Sequence, residues 1–372
     1  MGGEDRISEL SDDLLVEILL FLPTKEAVAT TFLSKRWRFV WRKLPRLDYK
    51  ETGNSSSKSV WWFLDESMGF HNAPSVENLR INLGVQCPVD ADVATCVAKA
   101  VDRCLRKLYF YLDWFSERIT MPKSLYTCKT LTELILMGKI LVDVPCEADL
   151  PSLYKLVLNN VVFKDEDSHV RLLSSCPVLK DLDVTRPDNV DDNVRKFTVK
   201  VPSLLRLTYM SLFFQEDDDD DSDVSLVIDT PDLVYLDIID GLENSSCSIN
   251  HMPRLMRALI DVDFYPDDNF LTSLSSIEYL ELSPGEDHTI VPWCNAVIYT
   301  LLKECIISRF HPDLCESLVV LLSNCPKLEV LMVDSKYKFF PSYAFQPGSV
   351  PKCLSSHLMI FKWKAYEGTE VE

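Results

Sequence analysis

One short apolar motif recurs through most of the 372-residue chain and limits what this chain can fold into. The motif, apolar-x-x-apolar-x-apolar, opens at eleven positions, at intervals of 22 to 29 residues. Two units are nearly identical, LLSSCPVLKDL at 172–182 and LLSNCPKLEVL at 321–331. A unit this short cannot bury its own apolar face, so neighbouring units must stack. The opening residues are Val76, Leu105, Leu131, Leu153, Leu179, Leu204, Leu233, Leu255, Ile277, Leu302 and Leu328.

This period and motif are typical of leucine-rich repeats, in which a short strand alternates with a helical or irregular return. The prediction is an α/β fold: an N-terminal three-helix module, then an irregular leucine-rich-repeat solenoid over 60–350, a horseshoe with a parallel sheet on its concave face. Helical returns are expected where apolar residues step at helical intervals, near 96–104 and 314–322.

Side chains alternate along a strand, so residues between the buried leucines are expected on the concave face. That face is mixed but leans acidic and carries tyrosines, which favours a basic protein or peptide as partner. The same residue types would also lie on this face, without any binding role, if the whole surface of the protein were acidic. The candidate substrate-binding residues are Asp181, Asp183, Arg206, Tyr235, Asp237, Tyr279 and Glu281.

The first 45 residues predict three short helices. Apolar residues form one stripe over 12–22, Ser11 can cap the helix start, and Pro23 ends it. A second helix follows Thr24, and a third lies between Ser34 and Pro45. A module of this size is near the lower limit for independent stability, so we expect it to dock onto something else.

The sequence over 5–15, 22–30 and 33–41 closely resembles the F-box of plant F-box proteins, which places an F-box at 1–50. In that family the F-box binds a Skp-type adaptor, which connects it to the cullin and RING subunits of a ubiquitin ligase. The chain departs from the family at Ser11, where Pro is usual; Ser supplies a helix cap but less apolar surface. The resemblance implies adaptor contacts at Leu10, Ser11, Leu14, Leu15, Ile18, Leu19, Leu22, Leu33, Trp37 and Trp41.

Three further segments have distinct compositions. Residues 51–59 are polar and Gly/Ser-rich and indicate a linker, and residues 215–223 are strongly acidic and indicate a solvated loop between repeats. The stretch 351–372 resembles the opening of the FBD domain that follows the repeats in plant F-box/LRR proteins, in a truncated form. Alternatively, Leu358, Phe361 and Trp363 continue the repeat pattern and cap it.

Composition excludes several other functions. A net charge of −19 argues against binding nucleic acid. There is no secretory signal and no apolar stretch long enough to span a membrane, so we expect a cytoplasmic and/or nuclear protein. The 12 cysteines contain no C-x-x-C pair and are expected to be reduced core residues. No catalytic, cofactor or metal-binding motif is present, so a non-enzymatic protein without cofactors is expected.

Together these patterns predict the substrate-recognition subunit of a Skp–cullin–F-box ubiquitin ligase, in which the F-box docks the adaptor and the repeats bind the target protein. Two alternatives remain open: a solenoid receptor for a small molecule, and an F-box scaffold that acts outside ubiquitination.

Overall fold

A computed structural model describes residues 7, 9–51, 59–88, 90–113, 117–187, 194–211, 225–241, 246–250, 252–262, 268–284, 297–309, 315–334 and 350–364. Residues 1–164 and 165–372 form two compact units, which we describe separately. Within the ranges described, no helix combines the length and apolar character needed to cross a bilayer. Most of the predicted linker and the whole acidic loop at 215–223 lie outside these ranges.

The first unit begins with three short helices, as predicted: α1 (Asp12–Leu19), α2 (Thr24–Ala29) and α3 (Trp37–Val40). The Ser11 hydroxyl caps α1 by accepting a hydrogen bond from the Leu14 N–H at 3.4 Å. The predicted extent of 12–22 for α1 is too long. The chain tightens after Leu19, because the N–H groups of residues 21 and 22 donate to carbonyls only three residues back.

Five parallel strands form the main sheet of the first unit in chain order, and three shorter parallel strands form a second sheet. Helices α4 (Trp61–Phe70) and α5 (Val93–Val101) lie between the first strands in sequence. The main sheet contains β1 (Arg46–Lys50), β2 (Asn78–Leu83), β3 (Lys107–Leu112), β5 (Glu133–Gly138) and β7 (Lys155–Asn159); the second contains β4 (Ile119–Thr120), β6 (Ile140–Val142) and β8 (Val162–Phe163).

The second unit repeats this plan, with eight parallel strands in its main sheet and three in a second sheet. Its helices are α6 (Ser168–Ser174), α7 (Asp268–Ser273), α8 (Cys315–Ser323) and α9 (Lys352–Ser356). The main sheet contains β9 (Asp181–Thr185), β11 (Arg206–Ser211), β13 (Tyr235–Asp240), β15 (Arg257–Val262), β16 (Tyr279–Pro284), β17 (Glu304–Ile307), β18 (Val330–Asp334) and β19 (Ile360–Lys364); the second contains β10 (Lys196–Lys200), β12 (Ser225–Asp229) and β14 (Ser246–Ile249).

The predicted repeat register is confirmed. Every one of the eleven opening residues is at most 1% exposed, and each is followed two positions later by the start of a main-sheet strand, as Leu179 is by β9. The predicted helical returns correspond to α5 and α8. Strand β19 pairs with β18, so residues 358–364 do continue the repeat pattern. The chain therefore has the predicted α/β fold of N-terminal helices followed by stacked parallel-strand repeats.

The helical module forms hydrogen bonds with the strand and the helix that follow it. Strand β1 pairs in parallel with β2, and its Asp48 N–H donates to Thr24 Oγ1 on α2 at 2.7 Å. His71, 2% exposed, follows α4; its Nε2 bonds the carbonyl of Leu44 at 2.8 Å, and Arg103 donates to its Nδ1 at 2.9 Å. Burial lowers the His71 pKa; the Leu44 carbonyl raises it and the charge of Arg103 lowers it further.

Candidate protein-binding surfaces

The predicted adaptor-contact residues fall into two groups in the structure. Leu15, Leu19, Trp37 and Trp41 are between 0 and 8% exposed. They form the small core of the helical module, so in this conformation they have little surface to offer a partner. In this conformation they hold the helices in place, and their role as direct adaptor contacts stays a prediction.

The other group is exposed and defines an N-terminal apolar surface. Four of its members were predicted, namely Leu14, Ile18, Leu22 and Leu33; the prediction missed Phe21 and Phe32, which are 88% and 91% exposed. Exposed apolar side chains in this number are typical of a protein-interaction surface. The N-terminal apolar surface consists of Leu14, Ile18, Phe21, Leu22, Phe32 and Leu33.

Ion pairs fix the start of α1, which carries part of this surface. The Asp12 carboxylate pairs with Arg36 at 2.8 Å and with Lys43 at 3.0 Å, and Arg36 also donates to the Leu10 carbonyl at 2.5 Å. Hydrogen bonds from Lys43 and then Arg36 lower the pKa of Asp12. Leu10, half-buried, and Ser11, the cap residue, are therefore held at the base of the helix and contribute little to the apolar surface.

The seven predicted substrate-binding residues lie together on one face of the second unit's main sheet, in two adjacent rows across neighbouring strands. The strand register gives one row as Asp181, Arg206, Tyr235, Arg257 and Tyr279, and the other as Asp183, Thr208, Asp237, Leu259 and Glu281. We call this the polar sheet face. The prediction missed Arg257, although its position two residues after the opening Leu255 was a sufficient signal.

Side chains on the polar sheet face form two copies of the same arrangement. The guanidinium of Arg206 lies 4.8 Å from the ring centroid of Tyr235, whose hydroxyl donates to Asp237 at 3.5 Å. The guanidinium of Arg257 lies 4.1 Å from the ring of Tyr279, whose hydroxyl donates to Glu281 at 3.0 Å. Each Arg–Tyr–acid triad thus combines a cation–π contact between strands with a hydrogen bond along one strand.

The Asp237 carboxyl and the two tyrosine hydroxyls of these triads have raised pKa values. Burial raises the pKa of Asp237, and the hydrogen bond from Tyr235 lowers it. The nearby charges of Asp183 and Glu281 raise it, so the net shift is upward. Burial and the bond to Glu281 raise the pKa of Tyr279 to about 12. The tyrosines therefore remain neutral donors at physiological pH, and the acids that they contact are partly satisfied within the chain.

A third triad lies in the first unit. The Arg80 guanidinium lies 4.7 Å from the ring of Tyr109, and Tyr109 donates to Glu133 at 3.0 Å. Glu133, 6% exposed, also pairs with Lys107 at 2.5 Å and accepts a bond from Tyr154. Burial raises the pKa of Glu133, but the hydrogen bonds from Lys107 and the tyrosines outweigh it, so the net shift is downward. The prediction did not anticipate this cluster.

Sequence models of three known families match the chain. The F-box domain matches residues 7–49, the LRR repeats of FBD-associated F-box protein At5g56370 match residues 93–258, and FBD matches residues 346–372. The three matches follow the order of the helical module, the repeats and the C-terminal segment. An F-box followed by leucine-rich repeats defines the class of protein, and F-boxes generally bind Skp1-type adaptors.

Several Arabidopsis thaliana proteins are similar to the chain over nearly its whole length. "Putative F-box/FBD/LRR-repeat protein At3g49480" is 54% identical and covers 99% of the chain and 85% of its own length. "Putative FBD-associated F-box protein At1g05080" is 46% identical and covers 100% of the chain and 87% of its own length. The chain therefore belongs to the plant F-box/FBD/LRR-repeat family, whose members are typically non-catalytic adaptors.

Proposed function

We propose that this chain is the substrate-recognition subunit of a Skp–cullin–F-box ubiquitin ligase in the cytoplasm or nucleus. The observation that carries the proposal is the N-terminal apolar surface, which lies within the segment that matches the F-box domain. The repeats hold a target protein while other subunits transfer ubiquitin. The chain contributes proximity to that reaction and performs no bond chemistry itself.

The exposure of this surface is large enough to support a stable complex. Phe21 and Phe32 are about nine-tenths exposed, so nearly all of their apolar area is available for burial by an adaptor. Full burial of one such side chain contributes about 1.5–3 kcal/mol. A few central apolar residues usually supply most of the affinity of a protein interface. Removing two of them together is expected to abolish recovery of the complex.

Co-purification with a Skp-type adaptor tests the proposal. The double substitution Phe32→Asp/Leu33→Asp changes only exposed side chains, 91% and 67% accessible, and should leave the module folded while eliminating adaptor recovery. Trp62→Asp is the matched control, because Trp62 is also apolar and 58% exposed but lies on α4, outside the N-terminal apolar surface. Wild type and the control should recover equal amounts of adaptor.

Two results would count against the proposal. Equal adaptor recovery by the Phe32/Leu33 variant and by wild type would show that this surface is not the docking site. If the complex of chain and adaptor does not bind a cullin–RING pair on size-exclusion chromatography, the chain is an F-box scaffold outside ubiquitination.

A further inference from the structure

We propose that the polar sheet face of the second unit binds an acidic peptide segment, whose anionic groups pair with Arg206 and Arg257. This inference rests on the proposed function, because it defines the class of substrate segment that the repeats would hold. It differs from the basic partner that the sequence suggests, and the two can be separated by experiment.

The two guanidiniums differ from several cations of this unit that form ion pairs. Arg254 pairs with Asp232 at 3.1 Å, Lys303 pairs with Glu278 at 2.8 Å, and Arg309 pairs with Asp261. Arg206 and Arg257 are exposed, and neither forms a hydrogen bond or ion pair with a residue that the structure describes.

Their ring contacts hold these two guanidiniums in place without satisfying their N–H groups. A guanidinium over the face of a tyrosine ring keeps its N–H donors at the edge, where they can bind a carboxylate or phosphate in bidentate fashion. The tyrosines are in turn restrained by Asp237 and Glu281 through their hydroxyls. Each triad therefore presents an oriented cation, which lowers the entropy cost of binding an anion.

The spacing of the two cations sets the length of the ligand. Arg206 lies on β11 and Arg257 on β15, with β13 between them, so their backbones are two strand spacings, or about 10 Å, apart. An extended peptide advances about 3.3 Å per residue, so acidic residues two to four positions apart reach both guanidiniums. A short peptide with two anionic groups is repelled less by the net charge of −19 than a long polyanion such as a nucleic acid.

The anionic groups can come from Asp and Glu side chains or from phosphorylated residues, and the same experiment distinguishes these sources. Three fluorescein-labelled peptides of one Ala/Gly sequence carry two glutamates, two phosphoserines or two lysines, three positions apart. Anisotropy is measured with the purified full-length chain at low salt. We expect binding of the glutamate and phosphoserine peptides and none of the lysine peptide. Tighter binding of the phosphoserine peptide would identify phosphate as the preferred group.

The variant Arg206→Ala/Arg257→Ala is expected to bind the acidic peptides about tenfold more weakly, because two charge-assisted contacts are lost. Arg254→Ala is the matched control: it removes an exposed arginine from the same unit, outside the two rows, and should leave peptide binding unchanged. Circular dichroism of both variants should match that of wild type.

Three results would overturn the inference: preferential binding of the lysine peptide, equal affinity of wild type and the double variant, or no binding of either acidic peptide at about 1 mM. The adaptor co-purification is run on the same preparations. Adaptor recovery without peptide binding would refute this inference alone, whereas peptide binding without adaptor recovery would refute the proposed function alone.

Discussion

Truncating His71 should destabilise the junction between the helical module and the repeats. The imidazole is 2% exposed and connects the Leu44 carbonyl, at the end of the module, with Arg103, before the second main-sheet strand of the repeats. Arg103 also donates to the His71 carbonyl at 2.9 Å, and this bond survives in His71→Ala. The substitution therefore removes one buried and one partly buried hydrogen bond and leaves a cavity.

The expected loss follows from these contacts. An unsatisfied buried acceptor at Leu44 costs about 1–3 kcal/mol, and the lost acceptor for Arg103 and the cavity add to this. We expect the free energy of unfolding to fall by about 3 kcal/mol in total. With a urea m-value of about 2 kcal/mol/M, the unfolding midpoint should fall by about 1.5 M.

Tryptophan fluorescence during urea unfolding provides the assay, because Trp37, Trp41 and Trp61 are buried in the first unit. His357→Ala is the matched control, since His357 is exposed on the other unit and its loss should cost less than about 0.5 kcal/mol. If the two substitutions lower the midpoint equally, the argument for the His71 junction is wrong.

The lowered pKa of His71 also predicts a pH dependence. The unfolded chain binds a proton near pH 6.5, whereas the folded chain resists it until a lower pH, so protonation favours unfolding. The contribution of His71 is fully present above about pH 6.5 and decreases as the pH falls toward its folded pKa. Wild type should lose stability over this window, and His71→Ala should lose less. Parallel curves for the two proteins would contradict the assignment.

Three further predictions concern other parts of the chain. Ser11→Pro should increase adaptor recovery, because the residue already has a φ of −64° that proline accepts and proline adds apolar surface; lower recovery would contradict this. Glu133→Gln should lower the free energy of unfolding, measured with urea, by about 1–2 kcal/mol. Wild type should lose stability as the pH falls below about 4.5, and the variant should lose less over the same range. Leu182 is 0% exposed and Val178 is 41% exposed. Leu182→Ala should therefore lower the free energy of unfolding by about 3 kcal/mol and Val178→Ala by less than about 1 kcal/mol. Equal losses would refute the repeat register.

The repeats could be predicted from the sequence because each carries its own local signal. The opening apolar residue and the alternation that follows it specify where a strand starts and which side chains are buried, as at Leu179 and Leu204. The two short second sheets carry no such signal, since their strands have two to five residues and no shared motif. Strand β1 was not predicted either. Only two of its side chains, Leu47 and Tyr49, are apolar, which is too short an alternation to indicate a strand directly after the helices.

The binding surfaces could be predicted only in part. Helical periodicity identifies the apolar stripe of α1 but does not distinguish buried Leu15 from exposed Leu14, because both lie within the stripe. Phe21 and Phe32 lie outside the α-helices, in a turn and a 3₁₀ segment, where that periodicity does not apply. The Arg–Tyr–acid triads join residues more than twenty positions apart, as Arg206 and Tyr235 are, and their pairing depends on the strand register.

The pairing of β1 with β2 has a consequence for evolution and for protein engineering. A natural boundary for recombination would fall between the F-box and the repeats, near residue 51. A cut there would leave β2 with the backbone N–H and C=O groups of a five-residue ladder unpaired, and an exposed edge of this kind promotes aggregation. Exchange of F-boxes among related proteins should therefore succeed when β1 moves with the repeats, and fragments that lack β1 should be insoluble.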